Sequence, residues 1–170
     1  MPVTKIIRHL TTFTALALFA VITPSIADAQ WAESGVDLSN GRAGAGASAD
    51  GQWTFVDSTS NVNGSNSFGH GIGVGVGPNG ISVSNSVGFN TAQGGAAHNF
   101  NMTVGRNGTH FSDGGVVSQG GNTGVIAGGG SGLYGNQISG GSSVTGYGNH
   151  VDAYSNSRTR RNPVALPFRW

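Results

Sequence analysis

Between Phe68 and Gly77 every second residue is glycine: Gly69, Gly71, Gly73, Gly75 and Gly77 alternate with Phe68, His70, Ile72, Val74 and Val76. A period of two is that of an extended strand, whose successive side chains point to opposite faces. One face of such a strand carries bulk and the other is bare backbone. Pro78-Asn79-Gly80 then turns the chain. Ile81, Val83, Asn85, Val87 and Phe89 follow, alternating with Ser82, Ser84, Ser86 and Gly88. The segment reads as a β-hairpin with one apolar face and one small Gly/Ser face. A smooth Gly/Ser face can approach another sheet closely, and it specifies register weakly. Burial is expected on the other face, where Ile72, Val74, Val76, Ile81, Val83, Val87 and Phe89 share one register.

A second hairpin is expected further on. His98, Phe100, Met102 and Val104 alternate with Asn99, Asn101 and Thr103, and Gly105-Arg106-Asn107-Gly108 forms its turn. Beyond it, short apolar pulses such as Val116-Val117, Val125-Ile126 and Leu133-Tyr134 are separated by Gly/Asn turn signals. No mature segment has a helical period. The expected fold class is all-β: Gly/Asn/Ser-rich hairpins in a meander or irregular solenoid, with a disordered N-terminal leader and C-terminal tail. The expected organisation is a signal peptide over 1–29, a polar flexible leader over 30–51, a Gly-rich β domain over 52–154 and an Arg-rich disordered tail over 155–170.

The signal peptide rests on a tripartite pattern. Lys5, Arg8 and His9 precede an apolar run from Leu10 to Ile22, and Ala27-Asp28-Ala29 is a small-residue cleavage site. The run is shorter than the ~20 residues of a spanning helix. It predicts export to the periplasm, the cell surface or the medium, with no transmembrane segment after cleavage. The segment after it has six arginines, six acids and no lysine, so its charges cancel. Low net charge favours self-association. The chain has no cysteine, so no disulfide supports the fold. All 31 glycines fall after the signal. Glycine loses the most backbone freedom on folding, which favours ordered backbone ladders over a side-chain-packed globule.

Catalytic constellations are sparse, and an enzyme is not expected. There is no cysteine nucleophile and no Gly-x-Ser-x-Gly elbow. Gly75–Gly80 and Gly130–Gly135 match G-x-G-x-x-G, but neither opens a helix that could hold a pyrophosphate. His70 and His98 fall in the apolar register of their hairpins and are expected on one sheet face, as half-exposed strand side chains rather than metal ligands. No cofactor or metal is expected. The spaced aromatics, including Trp53, Phe55, Phe68, Phe89, Phe111 and Tyr154, are expected to pack a shared core. Asn63, Asn101 and Asn107 begin Asn-x-Ser/Thr triplets.

Two functional expectations remain. The first is an exported structural protein of the envelope or extracellular matrix, whose partner is itself as a homo-oligomer or fibre. The second is a non-catalytic binding module for an anionic surface or glycan, contacted by Arg158, Arg160, Arg161, Arg169, Phe168 and Trp170. No specific nucleic acid is expected as a partner.

Overall fold

The computed structural model describes residues 29–161. The expected signal peptide, apart from Ala29, lies outside the described residues, as do Phe168, Arg169 and Trp170. The described chain is all-β, with ten strands in antiparallel pairs: β1 (Gln30–Ser39), β2 (Arg42–Asp50), β3 (Trp53–Asn63), β4 (Asn66–Gly77), β5 (Gly80–Asn90), β6 (Gly94–Gly105), β7 (Gly108–Gln119), β8 (Gly124–Tyr134), β9 (Gln137–Tyr147) and β10 (His150–Arg161). They form a four-stranded sheet, order β2-β1-β8-β9, and a six-stranded sheet, order β10-β7-β6-β5-β4-β3. The meander from β3 to β7 is unbroken, and β10 returns to pair with β7.

Both expected hairpins form in the expected register. Gly77 pairs with Gly80 around Pro78-Asn79, and Gly105 pairs with Gly108 around Arg106-Asn107. Gly64, with φ +61°, turns β3 into β4, a conformation that L side chains rarely adopt. Residues 30–51, expected as a flexible leader, instead supply β1 and β2, and β1 is an interior strand of its sheet. The pattern was present: Ala43, Ala45, Ala47 and Ala49 alternate with Gly44, Gly46 and Ser48, and all pair with β1. Residues 155–161, expected as disordered tail, are the second half of β10 and pair with β7.

The largest correction concerns which face is inside. The small Gly/Ser face of the first hairpin is buried, and the bulky face points outward. Ser82, Ser84 and Ser86 are wholly buried, while Ile81 and Phe89 are 47% and 54% exposed. The expected apolar core register, from Ile72 to Phe89, is therefore the outer surface. The reason is sheet separation. The opposing faces of β1, β2 and β8 are also small, built from Ala, Ser and Gly with a few aliphatic residues. Two small faces can approach far closer than two faces of Val and Phe. At Gly73 an added Cβ would lie 2.6 Å from the Ser48 carbonyl oxygen and 3.0 Å from that of Glu33. The β4 backbone thus rests directly on β1 and β2.

Such closeness leaves buried hydroxyl and amide groups, and these bond across the gap. Ser34 Oγ of the four-stranded sheet lies 2.8 Å from Ser84 Oγ and 3.0 Å from Ser86 Oγ. Ser84 Oγ lies 2.6 Å from Asn101 Oδ1. Asn101 Nδ2 donates to the Gly141 carbonyl at 3.1 Å and to Ser142 Oγ at 2.9 Å. Ser142 Oγ donates to Asn99 Oδ1 at 2.7 Å. Nearby, Thr103 Oγ1 is 2.8 Å from Ser131 Oγ and 3.0 Å from Ser82 Oγ. One end of the sandwich is apolar, where Val36, Leu38, Ala97, Val116, Val125 and Ala127 cluster. Each buried hydrogen bond contributes only about 1 kcal/mol net, but an orphaned partner costs about 1–3 kcal/mol.

Ser84→Asp therefore places a carboxylate in a closed interface and costs several kcal/mol, a large share of a typical 5–15 kcal/mol total. Val74→Asp, on the outer face, changes the stability of the monomer by only about 1 kcal/mol. Urea unfolding of both variants at low protein concentration checks the order, which is the reverse of that expected from an apolar-face core.

His110 adds a pH dependence. It is buried, its Nδ1 lies 2.8 Å from Thr159 Oγ1, and its Nε2 has no partner among the described residues. Burial lowers the imidazole below its ordinary value. An unfolded chain binds the proton at about 6.5, before the folded one does. Stability linked to His110 is thus complete above pH 6.5 and is lost as pH falls toward the folded value. Burial raises Glu33 and Asp37, with Arg42 lowering Asp37 in part, and these act in the opposite sense. Comparing the loss of Tm between pH 7.5 and 5.5 for wild type and His110→Gln isolates the imidazole. The variant should lose less.

Candidate interaction surface

Because the small residues face inward, antiparallel pairing gathers the bulky ones into rows across the outer face of the six-stranded sheet. At one end Trp53, Val76, Ile81 and Val104 stand side by side on β3 to β6. The next row holds Phe55, Val74, Val83, Met102 and Phe111. At the other end Phe68 faces Phe89. Phe100 and Phe111 pack edge to face, with ring centroids 5.2 Å apart. The aromatics expected in a core are instead exposed: Trp53 by 58%, and Phe55, Phe68, Phe111 and Tyr154 by 40% or more.

Six strands spaced ~4.8 Å apart, with a rise of ~3.4 Å per residue over eleven residues, give a face of roughly 1,000 Å². About half of it is apolar, at the upper end of the roughly 300–600 Å² of the largest apolar patch on a typical monomer, a patch that often marks a functional site. Charge is sparse on this face. Asp57 and Asp113 share its middle row, and Asp152, Arg158 and Arg160 line its β10 margin beside Val117, Phe111 and Thr109. Arg161 alternates to the opposite side. Of the six residues expected to contact an anionic partner, three thus lie on one exposed strand end.

The two edge strands of this sheet, β3 and β10, are exposed along their whole length. The margins of the four-stranded sheet reach these edges from the inner side: β2 packs against β3, and β9 against β10, where Ser155 Oγ donates to the Ser142 carbonyl at 2.8 Å, but no described strand pairs with the outward backbone groups of either. The outer face of that smaller sheet is more mixed, with Ile126, Tyr134 and Tyr147 exposed on it. It carries Glu33 and Asp37 and a row of glycines on β8, over two of which paired aromatics lie: Trp31 on Gly132 and Tyr147 on Gly124. Such pairing fills the space that a glycine leaves in a sheet.

His70 and His98 do share one face, as expected, but on β4 and β6 with Val87 of β5 between them. His70 Nε2 is 2.9 Å from Asn85 Nδ2. Among the described residues no group of three His, Asp or Glu side chains is placed to hold a metal ion. Both G-x-G-x-x-G segments run from a strand into a β-turn. Asn101 is wholly buried at the centre of the polar network, so its triplet cannot accept a glycan in the folded chain, whereas Asn63 is exposed.

Period two alone does not reveal the outer face, because it leaves open which of the two sides of each strand turns inward. The signal for it was the alternating alanine of β2, which marks a second small face ready to meet the first. Searches of known families, curated proteins and solved structures found no match to this chain.

A folded, dilute monomer should bind a hydrophobic dye such as ANS strongly in the native state. A Phe55→Ser/Phe89→Ser/Met102→Ser variant should bind much less while keeping its β-sheet circular dichroism. Equal dye binding by the two proteins would show that this face is covered.

Proposed function

We propose that this chain is an exported structural protein of the cell envelope or extracellular matrix that self-associates through its β-sheets. The observation that carries the proposal is the open apolar face of the six-stranded sheet. Its occupant is a second copy. A stable interface needs about 800 Å² from each partner, and the face offers roughly that area, apolar along the Trp53 and Phe55 rows and at Phe68 and Phe89, and polar where Asp57, Asn85 and Asp113 cross its middle. Flat apolar faces of this kind stack on one another as packed sheets do. The signal pattern at the N-terminus supports export, and the cancelled charge after it removes long-range repulsion between copies. No catalytic role is proposed.

Residues 30–170, purified and concentrated, should form β-rich oligomers in sedimentation velocity and bind Thioflavin. Val83→Asp/Met102→Asp, at the centre of the face, should shift assembly to at least tenfold higher concentration without loss of fold. A wild-type protein that stays monomeric at high concentration sinks the proposal.

A second reading is favoured by one observation, the clustering of Arg158, Arg160 and Arg161 at an exposed strand end. Arginine pairs bidentately with phosphate or carboxylate, so this end would suit an anionic surface or glycan. Co-sedimentation with anionic liposomes or an acidic polysaccharide separates the two. Replacing the three arginines with serine abolishes binding under this reading and leaves it unchanged otherwise.

A further inference from the structure

The six-stranded sheet has two unequal edges, and their chemistry is mutually complementary. We infer that copies of this chain join edge to edge, β10 of one onto β3 of the next, in continuous antiparallel register. The inference rests on the self-association proposed above and specifies its geometry.

Strand parity comes first. Neighbouring strands in this sheet are antiparallel throughout, and there are six of them. The first and last strands of an even-numbered antiparallel sheet run in opposite directions. A second copy displaced sideways by the width of the sheet therefore brings its β3 antiparallel to β10 of the first. Hydrogen-bonded and non-bonded pairs alternate across an antiparallel ladder. With six strands that alternation continues across the new junction, so free N–H and C=O groups meet without a shift in register.

Side-chain matching follows from the same rows. Residues in register across the sheet run from Trp53 to Arg160 and from Phe55 to Arg158. In the displaced copy each aromatic of β3 lands beside an arginine of β10, a cation–π pairing, and Asp57 lies diagonal to Arg158. On the inner side Thr54 meets Thr159 and Val62 meets Val151, like beside like. No like charges coincide.

Access is open. Both edges are exposed along their whole length, and although β2 packs against β3 and β9 against β10 on the inner side, no strand among the described residues pairs with the outward backbone groups of either. The pairing register of each strand is continuous, without a bulge, and neither strand contains proline or lysine, the devices that usually protect an edge. The joint is heterologous, so it repeats from copy to copy and extends the sheet beyond a dimer.

The chain lacks cysteine, so introduced thiols report the joint cleanly. Ser60→Cys and Ala153→Cys, on exposed positions of β3 and β10, should cross-link when the two variants of residues 30–170 are mixed under mild oxidation. Asn61→Cys with Asp152→Cys samples the other of the two alternating pair types. A double variant, S60C with A153C in one chain, should give a ladder of multimers on a non-reducing gel. Ser60→Cys mixed with Ser157→Cys, displaced by ~13 Å along the strand, should stay unlinked. Circular dichroism verifies the fold of each variant. Assemblies that form with neither matched pair linked, or with Ser60→Cys linked to itself, overturn the joint and leave the stacking of faces standing. If no variant or wild-type protein assembles at all in sedimentation, the self-association proposal falls with it.

Discussion

The fold depends on contact between two faces of small residues. Gly71, Gly73 and Gly75 on β4 lie so close to β1 and β2 that any Cβ there would strike a backbone carbonyl. The hydroxyls and amides that line the gap are withdrawn from bulk water, and most of them bond to one another, Gln30 and the Asn90 side-chain carbonyl being exceptions among the described residues. Ser34, Ser84, Asn99, Asn101 and Ser142 do so across the gap. Glycine and polar residues thus perform a task that most domains give to Leu, Ile and Phe. The hydrophobic cluster around Val36, Leu38 and Val125 covers only one end.

Everything outside follows from that contact. A strand that turns its small residues inward must turn its large ones outward, because the two alternate. The exposed rows of Trp53, Phe55, Phe89 and Phe111 are therefore the geometric complement of the buried Ser/Gly rows rather than a separate feature. The sheet sizes matter equally. The outermost strands of the small sheet lean on β3 and β10 but do not pair with them, so among the described residues both margins keep unpaired backbone groups. A molecule built this way has rows of exposed apolar side chains and unpaired edges on one sheet and a glycine-rich, mixed face on the other.

Much of this was legible from residue spacing alone. The alternation from Phe68 to Phe89 and the turns at Pro78-Asn79 and Arg106-Asn107 set strand, hairpin and register. Period two does not say which face turns inward. That depends on the partner sheet, which is remote in sequence and itself small-faced. Had β1 and β8 offered large inward side chains, the opposite face of the hairpin would have been buried. β2 hid its pattern because Ala and Gly differ little in hydropathy, although Ala43, Ala45, Ala47 and Ala49 alternate strictly. β10 hid its pattern because an edge strand with both faces exposed has no hydrophobic period to display. The outer rows are legible as residues but not as a surface, and the unmatched edges follow from strand count, which no local pattern encodes.

Hydroxyl-radical footprinting of the dilute monomer tests the inverted interior most directly, because it reads the exposure of each side chain. Trp53, Phe55 and Phe89 should oxidise at rates close to those of the unfolded chain, while Leu38, Leu133 and Val125 stay protected. Protection of Trp53, Phe55 and Phe89 in a protein that sediments as a monomer would contradict it, since the apolar face would then be the inside of the sandwich.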